Sequence, residues 1–363
     1  MTNDTSTFER RESEIRAYCR AAPTVFQSAS NATLTDEAGK HYIDLFAGAG
    51  VLNFGHNNPK MKEAMIAFLQ ADGVAHSLDM FTTTKRDFIT KFEATILKPR
   101  NMPHKMQFTG PTGTNAVEAA LKLARRVTGR ETVVAFTQAF HGMTLGALAC
   151  TTNDYFRNAA GVSLDKIVRQ PFGCATPCQR CAMGCGIESL NQLRARFDDP
   201  SSGLTPPAAF LLETIQAEGG VRIASREWLH AVQQLARDTG ALFIIDDIQA
   251  GCGRTGSYFS FDGLDLDPDI VILAKGIGGY GTPLAMLLNK PEHDQQWRPG
   301  EHTGTFRGQG LSFVAGKVAL EYFDDSALME AVAARGALMQ QALSELCARH
   351  PQLGWRGKGM MQA

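Results

Sequence analysis

The sequence predicts an α/β protein with a mainly parallel central sheet, helices on both faces of it, and a smaller α+β domain beyond. Three observations carry this. Between about residues 105 and 290, short apolar runs of β type alternate with segments of helical periodicity. The apolar runs are continuous, as in strands covered on both faces. A chain of 363 residues, 44% hydrophobic and 20% charged, is long enough for two domains or one large α/β unit.

Along the chain, a polar amphipathic start is followed by a hairpin in TDEAGKHYIDLF (35–46) and a Gly/Asn-rich loop, AGAGVLNFGHNNP (47–59). These set residues 1–60 apart from a large domain over 61–305. Within it the expected strands are KMQF (105–108), TVVAF (132–136), AAFLL (208–212), LFIID (242–246), DIVILA (269–274) and LAMLL (284–288). Residues 115–126 and 226–237 carry apolar side chains at helical spacing. Residues 306–363 open the smaller domain, with a helical return over 311–350.

Thirty-six basic against 37 acidic residues leave a net charge of −1, with no long run of either sign. Nothing there favours nucleic acid or an anionic membrane, so a small-molecule substrate is expected. The first residues lack the apolar centre of a signal peptide, and no stretch approaches the roughly 18 apolar residues of a membrane span. A cytoplasmic protein is expected. The eight cysteines read as thiols, because a chain of this size does not need disulfides. Cys174, Cys178, Cys181 and Cys185 form a C-x3-C-x2-C-x3-C run. We read it as a structural or redox-sensitive loop, with a zinc or iron–sulfur site as the alternative; no other metal site is expected.

Two successive strands end in charge. LFIIDD places Asp246 and Asp247 at one strand end, and DIVILAK places Lys275 just past the next. Ligands of parallel α/β sheets bind outside the carboxyl ends of strands, so both ends can reach one crevice. A buried carboxylate and a buried lysine suit pyridoxal 5'-phosphate (PLP): the carboxylate keeps the pyridine nitrogen protonated and the lysine holds the aldehyde. A structural Asp–Lys ion pair is the alternative. A nucleotide site is disfavoured, because no G-x-x-x-x-G-K-[ST] loop occurs. The segment FTGPTGTNAVEAALKLAR (108–125) runs from a strand through a Gly/Thr turn into a helix. There the Gly113 and Thr114 amides and the Thr112 hydroxyl would face an anion. A plain Thr/Asn helix cap is its alternative. Phe140, after the strand TVVAF, could lie on a planar ring or in the core.

Taken together, IIDDIQAGCGRTG (244–256) and LAKGIGGYGTPLA (273–285) resemble the class III (ω-) aminotransferases of PLP fold type I, and the match runs over essentially the whole chain. FERRESEIRAY (8–18), LDMFTTTKRDF (78–88), FHGMTLGALA (140–149) and PGEHTGTFRG (299–308) are more similar to the branch of ectoine and siderophore pathways. Its members pass an amino group between L-2,4-diaminobutyrate and 2-oxoglutarate, giving aspartate 4-semialdehyde and glutamate, reversibly. P-T-G-T-N at the phosphate turn marks that branch, where the wider class reads N-S-G-T-E.

The resemblance implies Lys275 as the Schiff-base lysine and Asp246 as the partner of the pyridine nitrogen. Ile248 and Phe140 would flank the ring, with His141 beside that stack and Gln249 on the phenolic oxygen. Thr112, Gly113 and Thr114 would bind the phosphate, joined by Thr305 of a second subunit. A homodimer or higher homo-oligomer with shared active sites follows, with residues 1–60 taking part in its contacts. Glu213 and Glu218 fall where the class orders the glutamine and screens a substrate-binding arginine; ordinary strand-end acids are the alternative. Members of the class extend further at the C-terminus than this chain does. Another ω-aminotransferase, acting on 4-aminobutyrate, ornithine or a polyamine, would share every cofactor residue. A catalytically silent PLP-binding relative is the non-enzyme alternative.

Overall fold

The computed structural model of the chain describes residues 4–173, 175 and 186–363. Near the N-terminus, β1 (Phe26–Ser30), β2 (Thr33–Asp36) and β3 (His41–Ile43) make a three-stranded antiparallel sheet. The expected hairpin is β2–β3. Its turn is organised by Asp36, whose buried carboxylate accepts the N–H groups of Ala38 and Lys40 at 2.9 Å each and the Tyr42 hydroxyl at 3.0 Å. Gly39, at φ 79°, supplies the left-handed residue that the turn needs. β1 was not foreseen, because FQSAS is mostly exposed and carries no apolar alternation.

All six expected strands form. They are β4 (Lys105–Phe108), β5 (Val133–Phe136), β7 (Ala209–Leu212), β10 (Leu242–Asp246), β11 (Ile270–Leu273) and β12 (Met286–Asn289). A seventh, β6 (Ile167–Gln170), extends the edge, and the order is β4-β12-β11-β10-β7-β5-β6. β12 runs against both neighbours, and the run from β11 to β6 is parallel throughout, so the sheet is mainly parallel. β6 escaped the sequence reading because an edge strand is only half covered, and Arg169 and Gln170 break its apolar run. A small hairpin, β8 (Ile215–Gln216) with β9 (Arg222–Ile223), follows β7.

Side chains along β10 alternate between two cores. Leu242 and Ile244 join Ala116, Val117, Ala120 and Leu123 of the Gly113–Thr128 helix on one face. Phe243 and Ile245 join Trp228, Val232 and Leu235 of the Arg226–Thr239 helix on the other. Full burial of each such aliphatic or aromatic side chain contributes about 1.5–3 kcal/mol. The same period of two assigns the next residues. Asp246 falls on the face of the Gly113–Thr128 helix, and Asp247 on the opposite one.

The C-terminal helices Gly310–Glu321 and Ala327–Arg349 occupy the expected helical return. No described helix is long and apolar enough to cross a membrane.

Candidate active site

Parallel pairing of β10 and β11 sets Asp246 beside Ile272, so Lys275, three residues further on, clears the strand end next to the Asp246 carboxylate. Asp246 is 4% exposed. Its Oδ2 lies 2.7 Å from His141 Nδ1, and its Oδ1 accepts the Ile248 N–H at 3.2 Å. His141 is itself buried and held from behind, its backbone N–H donating to Thr151 Oγ1 at 3.0 Å. His141 Nε2 is buried without a partner among the described residues. The resemblance expected this histidine beside the ring stack; its contact is with the carboxylate. Thr151, which anchors it, was not foreseen, and a lone threonine in a polar stretch carries no sequence signal.

Lys275 sits at φ 52°, in the left-handed region. Burial holds its ammonium below the usual lysine range, against the opposing charges of Asp246, Glu218 and Glu213. Glu213 is pushed well above the usual carboxylate range by burial, and the charge of Asp246 adds to this. Its Oε1 accepts the Phe140 N–H at 3.1 Å, so it fixes the backbone of the residue expected over the ring. Of the two glutamates expected to order Gln249, it is Glu218 that touches it, with Gln249 Nε2 3.4 Å from Glu218 Oε1 and 3.4 Å from the Ala49 carbonyl.

The phosphate turn forms as expected in outline. Thr112 caps the Gly113–Thr128 helix, and a β-carbon at Gly113 would come 2.7 Å from Ile248 Cδ1, so a side chain there would push the tip of Ile248 aside. The two threonine hydroxyls make contacts within the turn and its neighbours. The Thr112 hydroxyl donates to Asn115 Oδ1 at 2.9 Å, and the Thr112 backbone N–H donates to the same oxygen at 3.3 Å as part of a capping box. Thr114 Oγ1 lies 2.6 Å from Thr144 Oγ1, which donates onward to Glu118 Oε1 at 2.6 Å, and it accepts the Thr144 N–H at 3.2 Å. Both hydroxyls thus brace the turn. The Gly113 and Thr114 amides lie at the positive end of the helix, where an anion is favoured. Thr305 lies in an exposed turn whose carbonyl is 2.7 Å from His76 Nε2, and its neighbour Gly304 packs so closely on Thr109 that a β-carbon there would come 2.6 Å from the Thr109 carbonyl.

Beside Phe140 and Glu218 opens a cleft of about 560 Å³, also lined by Thr152, Asn153 and Arg169. It has room for an amino acid and offers one cation and one anion. Cys174, Cys178, Cys181 and Cys185 lie outside the described residues. Among those described, no group of His, Cys, Asp and Glu is arranged to hold a metal.

Asp247 shows how differently two adjacent aspartates can be used. It is 1% exposed and accepts the Ser260 N–H at 3.1 and 3.3 Å and the Ser260 hydroxyl, which also meets that of Thr214. Burial pushes its carboxyl up to about 8. A group raised in the folded state stabilises fully below its unfolded value of about 3.9, and that contribution is lost as pH rises through the folded value. The stability of the native chain should therefore fall between about pH 4 and 8. Asp247→Asn, neutral at every pH, should remove that slope and be the more stable protein at pH 8, by on the order of a few kcal/mol. Denaturant midpoints across the range test this, and parallel profiles would show that Asp247 is not held neutral.

Comparison with known proteins places these features in a family. The model of the aminotransferase class-III family matches residues 17–363. The chain is 51% identical over 356 residues to the diaminobutyrate–2-oxoglutarate transaminase of Wolinella succinogenes, covering 98% of this chain and 81% of that one. It is 49% identical over 357 residues to the enzyme of that name from Streptomyces anulatus, covering 98% and 83%. Among solved structures, an (S)-enantioselective omega-transaminase from Thermomicrobium roseum superposes with a TM-score of 0.85 at 25% identity, covering 99% of this chain and 82% of that one. A taurine:2-oxoglutarate aminotransferase from Bifidobacterium kashiwanohense, solved with PLP and glutamate, gives 0.82 at 23% identity, covering 93% and 76%.

Proposed function

The chain belongs to the class III aminotransferases, which use PLP, and from that membership we propose that it exchanges an amino group between L-2,4-diaminobutyrate and 2-oxoglutarate. The products are L-aspartate 4-semialdehyde and L-glutamate, and the reaction is reversible. The observation that carries this reading is the likeness to transaminases of that name over nearly the whole chain.

The residues fit the cofactor. A glycine cradle at Gly113 that a β-carbon would fill, a buried carboxylate at Asp246 and a lysine at the next strand end converge on one crevice. When bound, PLP supplies an aldehyde and a ring that draws off the electron pair left when a C–H bond of the donor is broken. Lys275 would hold the aldehyde and, as a free amine, would move the donor's proton; its lowered pKa favours the free base that this needs. Asp246, oriented by His141, would keep a proton on the ring nitrogen. The Gly113 and Thr114 amides, with Thr112, would take the phosphate, Phe140 and Ile248 would flank the ring, and Gln249 would face its phenolic oxygen. Glu213 fixes Phe140, and Glu218 holds Gln249.

A homodimer is part of this proposal, in which each chain lends Thr305 to the phosphate site of the other. Its support is the exposed apolar surface around that turn, where Phe306 is 58% and Phe81 100% exposed.

Absorbance of the PLP-loaded protein tests the substrate assignment. The long-wavelength band of the bound cofactor should decay fastest with L-2,4-diaminobutyrate. A faster decay with 4-aminobutyrate, ornithine or a polyamine would reassign the donor. A loaded protein indifferent to all of them would be a silent relative.

A further inference from the structure

Two segments remote in sequence, 75–79 and 302–310, are tied into one platform. Gly310 N–H donates to the Ala75 carbonyl at 2.7 Å, and the Ser77 N–H and hydroxyl both donate to the Gly308 carbonyl, at 3.0 and 3.1 Å. The His76 ring stands edge-on to Phe306, 5.5 Å between centroids. A β-carbon at Gly308 would collide with the Leu78 carbonyl, so the close approach needs glycine there.

One side chain spans this platform. The Arg307 guanidinium binds Asp79 Oδ2 at 2.5 Å through Nη2 and the His302 carbonyl at 3.2 Å through Nη1, while its backbone N–H closes on the Gly304 carbonyl at 3.1 Å. Its side chain is only 18% exposed, and Nε is buried without a partner among the described residues. Asp79 is gripped a second time, because the buried ammonium of Lys85 donates to its carbonyl at 2.8 Å. The turn carrying Thr305 is therefore braced at its start, at His302, and against a second segment, at Asp79.

We infer that Arg307, through its pair with Asp79, is a positioning residue that holds Thr305 ready for the cofactor phosphate across the subunit boundary. The inference rests on the shared-site dimer proposed above. An exposed threonine must otherwise be ordered each time the phosphate binds, and bracing it in advance removes that cost. The pair lies outside the residues proposed to hold the cofactor ring, so its effect should be confined to the phosphate end.

Titration of the apoprotein with PLP and with pyridoxal, which lacks the phosphate, separates this role from general support of the fold. Arg307→Ala should weaken PLP binding about tenfold, the scale of one charge-assisted hydrogen bond, and leave pyridoxal binding unchanged. Asp79→Ala should do the same, and the double variant should be no weaker than Arg307→Ala alone. Should Arg307→Ala not fold, Arg307→Lys, which keeps the charge but not the fork, gives the same reading with a smaller shift. Additive losses, or equal losses for PLP and pyridoxal, would overturn the inference. Thr305→Ala is the control. If it weakens PLP binding while Arg307→Ala does not, the inference alone fails. If it changes nothing, the shared-site reading fails and the inference with it.

Discussion

Lys275→Ala is expected to turn over at least about 10⁴-fold more slowly than the native enzyme while keeping its fold, because in the proposed mechanism one side chain has two tasks: to hold the aldehyde and to carry the proton. The fold should survive. The left-handed backbone at φ 52° costs alanine about as much as it costs lysine, and the surrounding strand end and turn enforce it in either case. The site should change electrostatically. Lys275 is the cation that offsets Glu213, so its removal leaves that buried carboxyl still more firmly protonated. Cofactor binding should weaken without vanishing, since the phosphate turn and Asp246 remain. Single-turnover rates with L-2,4-diaminobutyrate measure the effect, with circular dichroism as the check on folding. Partial recovery on adding a small primary amine would locate the loss in the missing proton carrier. A variant within about tenfold of the native rate would remove Lys275 from the chemistry altogether.

Sequence alone went far here because parallel strands buried on both faces are written as continuous apolar runs, and because charge at the end of such a run is conspicuous. Asp246 and Lys275 were legible for that reason. What holds them was not. The His141–Asp246 bond joins residues 105 apart, and nothing local to either residue announces it. The strand-end pattern by itself treats Asp246 and Asp247 alike, and only the resemblance separates them; in the fold the period of two sends one toward His141 and the other into a Ser260–Thr214 network. Thr112 and Thr114 teach the same lesson in reverse. Their types and spacing suit an anion site and a helix cap alike, and the contact of the Thr114 hydroxyl with Thr144, thirty residues on, is made only by tertiary packing. β6 was lost to the polar character of a sheet edge. Residue type announces a chemistry, and the fold decides which atoms of the residue remain available for it.

Asp246→Asn should slow the enzyme by about 10³-fold, because an amide cannot hold the ring proton on which electron withdrawal depends. The structural cost should be modest, about 1–3 kcal/mol, because His141 Nδ1 is held by Oδ2 at 2.7 Å and the Ile248 N–H by Oδ1 at 3.2 Å, and an amide has one oxygen to offer the two donors. The sign of the pH response is then set. Without a neighbouring anion the ring nitrogen loses its proton at lower pH, so the residual rate should rise as pH falls, relative to the native profile. A second effect opposes this one. The charge of Asp246 is one reason Glu213 is raised, so removing it makes Glu213 easier to ionise and can return a negative charge to the pocket. Asp246→Asn/Glu213→Gln separates the two. If Glu213 takes over part of the lost charge, the double variant should be slower than Asp246→Asn and the difference should widen with rising pH. If Glu213 stays protonated throughout, the two profiles should run parallel. An Asp246→Asn enzyme with a native rate and native pH profile would show that the ring proton is held by another group.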